Sequence, residues 1–241
     1  QPASRRLASG RRDSRVPAMR PLPDEPIAPS EFIEELLPAL FADLSLDEAE
    51  RALELRVGVV MTGPGGGEWT LHLVAGELGI ERGRDPDSDL TLLSSVGDWR
   101  SALWEGRPGL VADAVTVALR GDRPAGLPHR GDGPVEIPGL SDLRGLVEIV
   151  VEDAGDARRA ADEGVPSADW RVGILIGPGP IPDAPQASIR LGADEAEAIR
   201  RGELHPLEAL ITGRLRLDGD LGLILQLQAV AMTLSMTTGR G

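Results

Sequence analysis

The chain contains no cysteine, so neither a disulfide framework nor a thiolate nucleophile or metal ligand is available to it. Lysine, asparagine and tyrosine are missing too, and permanent positive charge rests on arginine alone, which we read as the coding bias of a GC-rich, bacterial genome. Only three histidines are present. His72 falls in a strand pattern, expected to face solvent, His129 in a proline- and glycine-rich stretch and His205 at a helix start. No two of them have metal-ligand spacing, so each reads as structural or surface. There is no Gly-x-Ser-x-Gly elbow. The glycine run Gly63 to Gly67 is followed by Glu68 and a strand, where a phosphate loop needs Lys-Ser/Thr opening a helix. At Gly177-Pro178-Gly179-Pro180 two prolines remove N–H groups that a phosphate would need. Acidic residues are too numerous for one pair to stand out as acid and base. No catalytic residue, cofactor or metal site is legible, and a protein that is not an enzyme is expected.

The net charge of −14 is unevenly spread: residues 1–20 hold six arginines against one aspartate, leaving −19 on the remainder. A body that acidic repels phosphate backbones, which excludes nucleic acid as the main partner, and it gains nothing from anionic membrane. The basic start is not followed by an apolar core, so no signal peptide is read. The longest charge-free run, Leu221 to Gly239, contains Gln226, Gln228, Thr233, Ser235, Thr237 and Thr238 and reads as a buried element, not a membrane span. A soluble, cytoplasmic chain without stable membrane insertion is expected. With 241 residues, 41% of them hydrophobic, it can bury one large core or two small ones.

Residues 1–29 are rich in Arg, Ser and Pro and read as a flexible tail, with Met19 as an alternative start. From Ser30 to Leu55 the period is helical: Phe32, Leu36, Leu37, Leu40 and Phe41 form one stripe, interrupted by Pro38, and Ser45 with Glu48 has capping-box spacing for a second helix. The period then becomes two. Strands are expected at 57–61, 68–74, 78–82 and 89–93, with short turns between them that suggest an antiparallel meander. A helix carrying Trp99, Ala102, Leu103 and Trp104 follows. Gly121 to Gly139, with Pro124, Pro128, Pro134 and Pro138, reads as a linker. Beyond it lie strands at 143–151 and 170–176, separated by a polar loop or short helix at 154–163.

The most organised stretch is Ala187 to Met236. A strand, Ser188 to Leu191, leads to Asp194 and Glu197 at capping distance and a helix reaching Gly202. A second helix starts at Pro206, where a missing N–H costs nothing. An alternating strand, Gly213 to Asp220, is followed by an apolar run from Leu221 to Met232. The ordered set Gly202, His205-Pro206, Gly213-Arg214-Leu215-Arg216-Leu217, Gly219-Asp220 and apolar tail resembles the sterol carrier protein 2 (SCP2) family. The resemblance implies an α+β fold, an antiparallel-rich sheet covered by helices, with an apolar tunnel between them for a fatty acyl chain, sterol or similar lipid. By that resemblance the tunnel-facing residues are Leu207, Leu210, Ile211, Leu221, Leu223, Ile224, Leu225, Leu227, Val230 and Met232; filling a core is the alternative for each. Few aromatics and many aliphatic side chains suit an aliphatic ligand.

The two halves also correspond. Glu68-Trp69-Thr70-Leu71 answers Asp169-Trp170-Arg171-Val172, Asp89 to Leu92 answers Ala187 to Leu191, and Val115 to Asp122 answers Gly213 to Asp220. This suggests one SCP2-like unit at 30–122 lacking a closing helix, a linker at 123–139, a second unit at 140–236 lacking an opening helix, and a tail at 237–241. The rival is one domain with a long insertion at 107–185. Two functions stay open: a non-catalytic lipid carrier, or the same fold with a filled core serving as a scaffold that dimerises or holds a protein partner.

Overall fold

The computed structural model describes residues 22–44, 46, 48–52, 54–109, 143–152 and 169–225. The basic tail before residue 22, Ser45, the stretch 115–122 expected to answer Gly213 to Asp220, the expected linker with His129, and the segment 154–163 lie outside them.

The first helical segment, α1, spans 29–42 in three parts: Pro29–Glu31, a π turn at Phe32–Leu36, and Leu37–Ala42. Pro38 explains the middle part, because its ring collides with the carbonyl four residues back and its nitrogen donates nothing. The preceding turn widens, and the Leu37 N–H reaches the Phe32 carbonyl instead. Helix α2 is short, Glu48–Arg51. Strands β1 (Leu55–Thr62), β2 (Gly67–Val74), β3 (Glu77–Arg82) and β4 (Leu90–Ser95) lead into α3, Val96–Trp104. Then come β5 (Gly145–Glu152), β6 (Trp170–Ile176), β7 (Ala187–Gly192), α4 (Ala193–Arg200), α5 (Pro206–Ile211) and β8 (Leu215–Gly219). Residues 221–225 are helical.

All eight strands form one sheet in the order β3-β2-β1-β4-β6-β5-β7-β8. The fold is α+β, and antiparallel pairs outnumber the two parallel ones, β1 with β4 and β5 with β7.

The expected four-strand meander stops at β3. Strand β4 lies on the far side of β1 and runs parallel to it. From β3 to β4 is three strand spacings, about 14 Å. Residues 83–89 can reach about 23 Å when extended, so the loop crosses the sheet end with room to spare. It is pinned on the way. The buried Thr70 hydroxyl donates to the Gly83 carbonyl at 2.7 Å and accepts from the Asp85 N–H at 2.8 Å. Arg56 donates its N–H to the Asp89 carboxylate at 2.8 Å. A period of two shows which side chains share a face but not which strand is the neighbour, and here the pinned loop decides the neighbour.

Register places one continuous apolar face across the sheet. Trp69, Val59, Leu92, Ile174, Val147 and Ala187 form one row, and Met61, Ser94, Val172, Ile149, Ile189 and Leu217 the next. Described helices cover this face in patches. Phe32 and Ile33 of α1 and Val96 of α3 pack on Val59, Met61 and Trp69. Ala102 of α3 and Ala196 of α4 pack with Val151, Trp170 and Leu191. Leu143, Leu223 and Ile224 pack on Val147, Ile176 and Ala187.

Candidate functional site

Between these patches lies an apolar cavity of about 360 Å³. Its floor is the middle of the sheet: Val59 and Met61 of β1, Leu92 and Ser94 of β4, Val172 of β6 and Ile149 of β5. Trp99, Ala102 and Leu103 of α3 wall one side, with Pro108 just beyond the helix. Val151, Trp170 and Leu191 close another. Leu92 is 37% exposed, where its row neighbours Val59 and Val147 are buried.

Helix α3 is set over the floor by two devices. Ser95 caps it: the hydroxyl accepts from the Asp98 N–H at 2.9 Å and donates to the Asp98 carboxylate at 2.7 Å. The Trp170 indole N–H then donates to the Asp98 carbonyl at 3.0 Å, tying the helix to β6. Burial pushes the Asp98 carboxyl above its usual value, against the lowering effect of the Ser95 and Arg171 hydrogen bonds. On the outer side, Trp99, Trp104 and Phe32 meet edge to face, with ring centroids 5.0 to 6.2 Å apart, which anchors α3 to α1. The same outer corner holds Glu34. It accepts a two-pronged hydrogen bond from Arg82 at 2.7 and 2.8 Å and one from the Trp69 indole at 2.8 Å, which together hold its carboxyl below the usual carboxylate value.

Among the described residues, those expected to line a tunnel are not in the lining of this cavity. Leu223 and Ile224 are buried and pack against Leu90 and Ile174, next to the cavity floor, because Ile174 pairs with Leu92. Leu210 is half-buried. Leu207, Ile211, Leu221 and Leu225 are 51, 77, 52 and 60% exposed. Leu227, Val230 and Met232 lie outside the described residues. Sequence reasoning missed the tryptophans. With four in the chain, each was informative, and two of them, Trp99 and Trp170, line the cavity.

The remaining polar features have local roles. His205 caps α5, its Nδ1 accepting from the Leu207 N–H at 3.2 Å. His72, expected to face solvent, is half-buried beside Gly79, with Nε2 3.8 Å from Glu81. Helix α4 starts at Ala193 after Gly192, with no side-chain cap, so the expected box of Asp194 and Glu197 is not made; Glu197 binds Arg200 instead. The N–H groups of Gly177 and Gly179 are spent on the carbonyls of Asp89 and Pro86, both at 2.8 Å. Among the described residues no cluster of His, Asp or Glu could hold a metal ion, and no helix is long and apolar enough to cross a membrane.

An α+β sheet with an apolar cavity under a helix, its described lining free of charged side chains, has the form of a small-molecule site. Residues 166–232 match the model of the SCP-2 sterol transfer family. No curated protein matches the chain. Among solved structures, the sterol carrier protein domain 2 of Helicoverpa armigera is 16% identical, with 41% of this chain and 74% of that one covered at a TM-score of 0.29. A sterol carrier protein 2-like 2 from Aedes aegypti is 19% identical, with 39% and 79% covered at 0.26.

Proposed function

We propose that this protein is a non-catalytic carrier of a hydrophobic small molecule, a fatty acyl, sterol or similar lipid held by burial alone. The observation that carries the reading is the cavity of about 360 Å³, whose described lining holds no charged side chain. Its size falls within the about 300–1,000 Å³ usual for small-molecule sites. The match of residues 166–232 to a sterol transfer family supports the same reading. Leu223 and Ile224, expected from the sequence as tunnel residues, would then form the wall behind the floor. Burying a methylene is worth about 0.8 kcal/mol, so Kd should fall roughly fourfold per added methylene until the cavity is full. Delipidated protein titrated with an acyl-chain series and a sterol probe tests this. Flat titrations in both classes would remove the reading.

A second reading, partner binding, is favoured by one observation. Leu207 with Ile211, and Leu221 with Leu225, are exposed pairs one turn apart on their helices. A second copy or another protein would cover them. Sedimentation that stays monomeric at every concentration, unchanged by Ile211→Ser, would count against it.

A further inference from the structure

We propose that the ligand site is composite, built jointly by the two halves of the sheet across the β4–β6 seam, and that it takes an uncharged hydrocarbon segment. This rests on the carrier reading and adds where the ligand sits and what part of it enters.

The strand pairings supply the first argument. In the first half β1 pairs antiparallel with β2 and parallel with β4, and α3 follows β4. In the second half β5 pairs antiparallel with β6 and parallel with β7, and α4 follows β7. The outer side of β7 is taken by β8, and the outer side of β4 by β6. Conversely, β2 has β3 on its outer side where β6 has β4. Among the described residues, each half thus takes, in the shared sheet, the place beside the other that β8 or β3 takes at the far edge of its own half.

The cavity lies over this seam. Of the fourteen described residues that line it, three, Trp170, Val172 and Leu191, fall within the family-matching segment 166–232. The others come from β1, β4, α3, Pro108 and β5, so most of the described wall lies outside the family-like segment. The occupant follows from the alternation. Glu148, Arg171 and Arg190 sit one residue off the lining positions and share the opposite face, where Glu148 lies 3.6 Å from Arg171 and 3.9 Å from Arg190. A carboxylate or phosphate pushed into the cavity would meet no cation among the described lining residues and would lose its hydration. A hydrocarbon chain or ring system enters and its polar end stays outside.

The test uses the full chain and N-dodecyl dansylamide, an uncharged probe read by its own emission. Leu92→Trp fills the cavity from the first half and Val172→Trp from the second, and each should raise Kd at least tenfold. Because the chain has no cysteine, Leu92→Cys and Val172→Cys give clean thiol probes. Bound probe should slow modification of both and leave Val74→Cys, on the exposed end of β2, unaffected. If a tryptophan variant loses cooperative unfolding, the thiol pair decides. Protection on one side of the seam only would overturn the composite site. Protection of Ile211→Cys without the other two would also overturn it while leaving the carrier reading intact. No saturable binding to the unaltered chain would sink both.

Discussion

Trp69 and Trp170 occupy matching places in the two halves, each buried and each opposite a valine of the neighbouring strand, Val59 and Val151. They are held differently. Trp69 gives its indole N–H to Glu34, a side chain of the helix that opens its own half. Trp170 gives its N–H to the backbone of Asp98, in the other half. The first half carries its own opening helix; β6 of the second half is tied to α3 of the first. The difference teaches that the halves are tied together where they meet, and that the cavity lies beside that tie.

The largest effects should come from the tryptophans. Trp69→Ala and Trp170→Ala should each cost about 3–5 kcal/mol in urea unfolding. Only the second should also change binding of an apolar probe, since only Trp170 lines the cavity. Equal binding losses in both variants would break the distinction.

Glycines sharpen it next. At Gly173, on the seam, a Cβ would meet Leu146 and Leu93 at 3.3 Å, and Gly173→Val should cost about 1–3 kcal/mol by overpacking. At Gly79, on the edge strand, the nearest atom is 3.8 Å away, and Gly79→Ala should stay within about 0.5 kcal/mol.

The two helices after the parallel strands differ in their caps. Ser95→Ala should cost about 1 kcal/mol by removing the cap of α3. Gly192→Asn, at the start of α4, should gain a few tenths at most. Thermal unfolding of the pair measures both.

The smallest effects should be in pH dependence, and their signs oppose. Glu34 is held below its ordinary value of 4.5, so its contribution is complete above that pH and is lost as pH falls through the lower folded value. Asp98 is raised above 3.8 by burial, so its contribution is complete below that pH and is lost as pH rises through the higher folded value. Urea midpoints measured between about pH 3 and 6 should show less acid loss in Glu34→Gln. In Asp98→Asn they should lack the gain on acidification. A shared sign would refute the assignment.

Much of the fold was legible because its causes are local. Alternation in 57–61 and 170–176 marked strands, Pro206 marked a helix start, and Pro38 marked a disturbed helix. The site was not legible. Val59, Leu92, Ile149 and Val172 come from four strands, and nothing in the spacing of one announces another. Leu207 and Ile211 show the opposite case, since a helical apolar stripe says which side chains align but not that a neighbour covers them.

By itself, then, the order of residues determined which side chains share a face, because a strand's period of two and a helix's turn are set within a few residues. Strand order was decided only in three dimensions, where the loop at 83–89 carries β4 past two strands and its outer edge accepts β6. Backbone pairing is blind to sequence identity and reaches any edge the chain can span. The cavity therefore belongs to the assembled sheet and to no segment of it.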